Sequence, residues 1–225
     1  MKKYWAELLG TFFLVFAGTG AIVINAESHG AISHLGIALT FGLVVLALIY
    51  TFGDISGAHF NPAVTTAFAV AGRFSWAEVP RYMLAQLLGA LAASTLLHRL
   101  FPLQPLLGAT LPAGPEIQSL VLETILTNFL MIVILSVSTG AKEKGITAGI
   151  AIGAVIALEA LFAGPICGAS MNPARSIGPA LVSGHLDSLW IYVAGPLAGA
   201  ILAVPLCCLV RESECCGKPP SDRGS

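Results

Sequence analysis

Six stretches of this sequence, each apolar over roughly twenty residues, restrict its fold more than any other feature. A helix needs about 20 residues to cross the roughly 30 Å hydrocarbon core of a bilayer. Strands of membrane barrels instead show a weak alternation of apolar and polar residues. The sequence therefore predicts an all-α membrane protein with transmembrane helices near Tyr4–Asn25, His34–Phe52, Pro80–His98, Ile117–Thr139, Ile146–Ile166 and Asp187–Val210.

Composition excludes several classes of function. Hydrophobic residues make up 56% of the chain and charged residues 10%, whereas a soluble domain carries about 25% charged residues. The formal net charge of -1 argues against a nucleic-acid partner. The sequence shows no nucleophile–base pair and no cluster of metal-ligating residues, so we expect neither an enzyme nor a bound metal or cofactor.

The distribution of lysine and arginine predicts the orientation in the membrane. All of these residues except Arg99 and Arg175 fall on one side of the six predicted spans. Because cytoplasmic segments carry an excess of lysine and arginine, we expect both termini in the cytoplasm and the protein in the cell membrane. The residues on that side are Lys2, Lys3, Arg73, Arg81, Lys142, Lys144, Arg211, Lys218 and Arg223.

The two halves of the chain share one pattern. Asn-Pro-Ala occurs in "SGAHFNPAV", at Asn61, and again in "GASMNPARS", at Asn172, and aligning the triplets also matches Glu7 with Glu123. Each half has three spans, an odd number, so the second half must cross the membrane in the opposite direction, as in the inverted repeats of transport proteins. We expect one channel domain over residues 1–210, with repeats at about 4–101 and 116–210, and a disordered polar tail at 211–225.

The segments after the two triplets are apolar but too short to span a membrane. Asparagine is favoured at a helix N-cap and proline at the first helical position, so each triplet predicts the start of a half-helix at mid-membrane. The positive dipole ends of the two half-helices would meet there, with the asparagine amides facing a central passage. The predicted pore motifs are Asn61, Pro62, Ala63, Asn172, Pro173 and Ala174.

At these residues the chain resembles the major intrinsic protein family, the aquaporins and aquaglyceroporins. The segments "ISGAHFNPAVT" and "AGPICGASMNPARSIGPAL" are most similar to the nodulin-like branch and its bacterial relatives. The resemblance implies six tilted helices plus two re-entrant half-helices, one pore per chain, and usually a homotetramer in the bilayer. It further implies passage of water and small neutral solutes.

The resemblance also implies a selectivity constriction formed by Phe41, Ala160, Ala169 and Arg175. Strict water channels of the family usually have histidine where this chain has Ala160, so alanine leaves a wider and less polar passage. Relatives with Phe-Ala-Ala-Arg are associated with uncharged metalloid acids such as arsenous acid. We therefore expect water, glycerol and metalloid hydroxides to pass, and ions and protons to be excluded.

Three further residues are expected to support the loops. Glu7 and Glu123 are acids within membrane spans, and such residues act either as proton relays or as hydrogen-bond acceptors for nearby backbone. Their matched positions favour loop support. His59 could gate the pore by protonation, although its place two residues before Asn61 favours a structural role. The sequence assigns no role to Glu159, Cys167 or the Cys215–Cys216 pair.

Two other functions remain open from the sequence. A strict water channel would have the same fold, and a secondary transporter can also have inverted repeats and broken helices. A coupled transporter would need an ion or proton site at mid-membrane, where the sequence places only asparagines.

Overall fold

The structure, a computed structural model, describes residues 1–138 and 142–211. The predicted tail therefore lies outside the described residues from residue 212 onward, and so does the Cys215–Cys216 pair. Within the described ranges the chain forms the helices α1 (Lys2–Glu27), α2 (Ser33–Ser56), α3 (Pro62–Val70), α4 (Val79–Leu100), α5 (Glu116–Val137), α6 (Lys142–Cys167), α7 (Pro173–Ser183) and α8 (Ile191–Val210).

Six of these helices are long and apolar enough to cross a membrane, and the two short ones, α3 and α7, follow the Asn-Pro-Ala triplets. The predicted all-α fold with six spans is therefore confirmed. Helix boundaries differ by a few residues. Hydropathy predicted an end of α2 at Phe52, but the helix continues to Ser56 and ends where Gly57 adopts a left-handed conformation, with φ of 83°.

Large apolar side chains lie on the surface and several polar side chains are buried, which is the reverse of the usual pattern in a soluble protein. Leu43, Leu84 and Ile125 on three different helices are more than half exposed, whereas Glu7 and Gln86 are fully buried. Exposed leucine and isoleucine on the outer surface of a helical bundle suit contact with lipid, because hydrocarbon does not penalise apolar side chains. The arrangement is that of a multi-pass membrane protein.

Helix packing links the two halves of the chain, α1–α4 and α5–α8. Within the first half α1 packs on α4, and within the second half α5 packs in the same way on α8. Each half-helix instead packs extensively on the third spanning helix of the other half, α3 on α8 and α7 on α4. The two half-helices are thereby held between the halves, which brings their N-termini together at the centre of the protein.

Glycines permit the closest of these approaches. A Cβ atom on Gly89 of α4 would collide with the carbonyl oxygen of Leu8, and one on Gly199 of α8 would collide with that of Thr124. Small residues let helix backbones pack closely in membranes. Both halves therefore have a glycine at the matched position, where the first and third spanning helices of each half pack closely.

Candidate pore

The two asparagines begin the half-helices in the same way. Asn61 has extended backbone, and its Oδ1 accepts a hydrogen bond from the N–H of Ala63 at 2.8 Å. Asn172 is also extended, and its Oδ1 accepts from the N–H of Ala174 at 3.0 Å and from that of Arg175 at 3.4 Å. Pro62 and Pro173 occupy the first helical positions, where an N–H is not needed.

Each asparagine also contacts the loop of the other half. Asn61 Nδ2 donates a hydrogen bond to the carbonyl of Met171 at 2.7 Å, and Asn172 Nδ2 donates to the carbonyl of Phe60 at 2.9 Å. An amide nitrogen carries two hydrogens, so one N–H of each side chain remains for a ligand. Both asparagines line one cavity of about 400 Å³.

The residue before each asparagine has a strained backbone. Phe60 has φ of 49° and Met171 has φ of 53°, in the left-handed region that residues other than glycine rarely adopt. Such conformations persist where the surroundings hold them firmly. Here they aim the carbonyls of both residues at the opposite asparagine, so the strain serves the reciprocal contact.

Two buried carboxylates hold the loops. Glu7 accepts hydrogen bonds from the backbone N–H of His59 at 3.0 Å and of Phe60 at 2.7 Å. Glu123 accepts from the backbone N–H of Ser170 at 2.7 Å and of Met171 at 2.8 Å. These N–H groups lie in irregular backbone at membrane depth, where an unsatisfied polar group is costly. Glu7 further accepts from Ser56 Oγ at 2.7 Å and Gln86 Nε2 at 2.8 Å.

His59 is enclosed by aromatic rings beside the cavity. Its ring stacks on Phe68 with centroids 4.8 Å apart and contacts the rings of Phe74 and Tyr82. Its Nδ1 lies 3.1 Å from Thr65 Oγ1, and the residue contributes to the cavity lining. The ring is thus fixed in one orientation by packing on several sides.

The four residues expected at the constriction line the same cavity. Arg175 Cζ lies 5.0 Å from the centroid of the Phe41 ring, a distance suited to a cation–π interaction. Ala160 and Ala169, whose side chains are single methyl groups, are also in this lining. The Phe41 ring packs over Gly18, where any Cβ would overlap it. The result is a passage with one guanidinium, one aromatic wall and two small apolar residues.

The comparisons with known proteins decide the family. The model of the family described as "Major intrinsic protein" matches residues 1–206. The chain belongs to the major intrinsic protein family. This is a family of channels for small solutes, and the sequence resemblance to it is confirmed.

Similar proteins come from Zea mays, Glycine max and Plasmodium falciparum. Aquaporin NIP1-1 of Zea mays is 53% identical over 208 residues, covering 89% of this chain and 72% of its own. Nodulin-26 of Glycine max is 46% identical, covering 99% of this chain and 81% of its own. The crystal structure of the aquaglyceroporin from Plasmodium falciparum is 26% identical with a TM-score of 0.81, covering 92% of this chain and 98% of that one. The match to the nodulin-like branch is therefore confirmed.

The segment that holds the Arg175 side chain in this major intrinsic protein was not predicted from the sequence. The irregular connection between α4 and α5 folds back over α7, and its Gly108 carbonyl accepts a hydrogen bond from Arg175 Nη1 at 2.8 Å. Thr110 in the same segment bonds to Ser176 at 2.8 Å. The only signal in the sequence was "LLGAT", where Leu107 and Gly108 both adopt positive φ.

Proposed function

We propose that this chain is a passive channel for water, glycerol and metalloid hydroxides such as arsenous acid, and that it excludes ions and protons. The observation that carries the proposal is Ala160 in the lining beside Phe41 and Arg175. A methyl group at this position leaves room for solutes larger than water. The proposed pore residues are those predicted from the sequence, with Phe41, Ala160, Ala169 and Arg175 as the constriction.

The chemistry of the lining fits polyhydroxylated neutral molecules. The Arg175 side chain has donors for solute oxygens, since among the described residues its guanidinium makes one hydrogen bond to protein, from Nη1 to the Gly108 carbonyl. The asparagine amides supply further N–H donors at the middle of the cavity. Phe41 and aliphatic side chains face the carbon backbone of a solute such as glycerol. They include Val45, Ile49, Leu130, Ile134, Ile152 and Ile156.

Ion exclusion follows from charge and desolvation. The constriction holds one fixed positive charge, Arg175, and the half-helices α3 and α7 direct their positive dipole ends at the asparagines. A cation would meet repulsion here, and any ion would lose hydration without a ring of ligands to replace it. The same dipoles also raise the electrostatic energy of a proton that moves through the pore along a single file of water molecules.

Glu7, Glu123 and His59 act as loop supports in this proposal. The carboxylates satisfy backbone N–H groups of the two re-entrant loops, and the enclosed imidazole fills the space below the first triplet. The exposed apolar faces support a location in the membrane, and the lysine and arginine distribution supports cytoplasmic termini. Assembly as a homotetramer in the plasma membrane is proposed from the family resemblance.

The test is stopped-flow light scattering on proteoliposomes, which compares water, glycerol and arsenous acid flux with that of empty vesicles. Fast, non-saturating flux of glycerol or arsenous acid supports the wide channel. Fast water flux alone would instead establish a strict water channel. Saturating flux that responds to an ion gradient would establish a secondary transporter.

A further inference from the structure

Two neighbouring residues of α1 lie behind the proposed constriction. Gly18 and Thr19 are buried, and neither is among the described residues that line the cavity. Gly18 contacts the ring of Phe41. Thr19 contacts Gly108, whose carbonyl accepts the hydrogen bond from Arg175. One short stretch of α1 therefore touches both the aromatic wall and the segment that holds the arginine.

The contact at Gly18 determines how far the Phe41 ring lies from the middle of the passage. A Cβ atom on Gly18 would overlap three atoms of the ring, Cδ1, Cε1 and Cζ. These atoms are the far end of a side chain, so a substitution would shift the ring before it shifted a helix backbone. Since Phe41 lines the cavity and Gly18 does not, we expect the ring to move toward the passage. Glycine thus lets the ring lie back against α1.

The contact at Thr19 supports the opposite side of the constriction. Gly108 has φ of 73°, and a Cβ atom on it would lie 2.8 Å from Thr19 Cβ and 3.1 Å from Thr19 Cα. The Thr19 hydroxyl donates to the Val15 carbonyl at 2.6 Å, which fixes the orientation of the side chain. The connection between α4 and α5 approaches α1 this closely because it has glycine here. Its carbonyl thereby lies 2.8 Å from Arg175 Nη1.

We propose that Gly18 and Thr19 are positioning residues that set the separation between the Phe41 ring and the Arg175 guanidinium. In the structure Arg175 Cζ lies 5.0 Å from the centroid of that ring. The separation determines which neutral solutes fit beside the two side chains. This inference rests on the proposed function, because it takes Phe41 and Arg175 as members of the constriction. It extends solute selectivity to residues that do not themselves touch a solute.

Alanine at position 18 tests the aromatic side. Gly18→Ala should lower the glycerol-to-water flux ratio in proteoliposomes about tenfold, because the displaced ring fills space that glycerol needs. Gly20→Ala is the matched control and should keep the ratio, since its Cβ would lie 3.4 Å from Leu97 Cδ2, an ordinary contact. In a Phe41→Leu background, which lacks the ring, Gly18→Ala should change the ratio little. An equal effect of Gly18→Ala in both backgrounds overturns the role of Gly18.

Alanine at position 108 tests the arginine side. Gly108→Ala adds a methyl group that collides with Thr19 and displaces the carbonyl that holds Arg175. It should raise the flux of sorbitol, a polyol larger than glycerol, relative to water, as Arg175→Ala should. Gly72→Ala is the matched control, because Gly72 has φ of 71° and a Cβ there would meet nothing within 4 Å. The same sorbitol-to-water ratio in Gly108→Ala and Gly72→Ala overturns the role of the Thr19 contact.

A crystal structure of Gly18→Ala separates failure of this inference from failure of the proposed function. The Phe41 ring should lie farther from the backbone of α1 than in the wild type, whether or not glycerol permeates, and an unmoved ring overturns the inference. A wild type that passes no glycerol would overturn the proposed function alone. If Gly18→Ala does not fold, the double variant with Phe41→Leu should fold, because the ring is the obstacle. Failure of both to fold overturns the positioning role.

Discussion

The two Asn-Pro-Ala loops have the same backbone design but different surroundings. In the first loop Glu7 accepts four hydrogen bonds, from the backbone of His59 and Phe60 and from Ser56 and Gln86. In the second loop Glu123 accepts two, both from backbone. Three residues after the asparagine the first loop has Val64 and the second has Arg175. The glutamate of the first loop thus accepts more hydrogen bonds, and the second loop is followed by the arginine.

We expect this difference to separate two roles, the structural support of the pore and its selectivity for solutes. Val64 and Arg175 occupy matched places on the first turns of α3 and α7, and both line the cavity. Only Arg175 can donate hydrogen bonds to a solute and repel a cation. The two halves therefore share one scaffold, and we expect selectivity to arise where the second half departs from the first.

The largest expected effect comes from removing the carboxylates. Each buried donor left unsatisfied costs about 1–3 kcal/mol. Glu7→Leu removes the acceptor of four donors and Glu123→Leu that of two, so both should lose stability, with Glu7→Leu the worse. The loss of stability is measured as the decrease in Tm of each variant in detergent.

The control for these variants is Glu27→Leu, which alters an exposed acid at the end of α1 and should unfold close to the wild type. Greater loss in Glu123→Leu than in Glu7→Leu would contradict the view that the first loop depends more on its acid.

The next effect concerns the matched pair of residues on the half-helices. Arg175→Ala should loosen selectivity, raising the flux of larger polyols and of cations relative to water by about tenfold, because the fixed charge and its donors are lost. Val64→Ala should alter selectivity far less. Flux in proteoliposomes checks both, and Arg175→Lys serves as a variant that keeps the charge. Equal selectivity in wild type and Arg175→Ala would remove Arg175 from the constriction.

A smaller effect should follow from narrowing the constriction at Ala160, where the side chain is small. Ala160→His should reduce glycerol flux about tenfold more than water flux, because an imidazole fills space that glycerol needs and water does not. Ala160→Ser, nearly the same size, should leave the ratio close to that of the wild type. If histidine lowered both fluxes equally, residue 160 would not set the width.

Local chemistry made much of this protein predictable. The spans follow from apolar length, and Asn61 and Asn172 follow from the preference for asparagine before proline at a helix start. The contact between Gly108 and Arg175 could not be predicted, because an irregular segment has no periodicity. The left-handed backbone conformation of Phe60 could not be predicted either, because this conformation is usually expected only at glycine. These features arise from tertiary contacts between distant segments.

The smallest effect is expected at an ion pair that only the first half shows among the described residues. Glu78 lies between α3 and α4 and bonds to Lys3 at 2.8 Å and Tyr4 at 2.7 Å. The hydrogen bond from Lys3, and then that from Tyr4, lower the pKa of Glu78 below its ordinary value of 4.5. Its stabilisation is therefore complete above that value and is lost as the pH falls through the lower pKa of the folded state.

Glu78→Gln should consequently reduce the acid sensitivity of thermal unfolding slightly and leave stability near pH 7 little changed, because exposed ion pairs contribute little. Asp187→Asn, at a site before α8 in the second half, is the matched control and should show the acid sensitivity of the wild type. If the Glu78 and Asp187 variants had the same effect, the ion pair would not distinguish the two halves, and their difference would lie wholly in the loops and in Arg175.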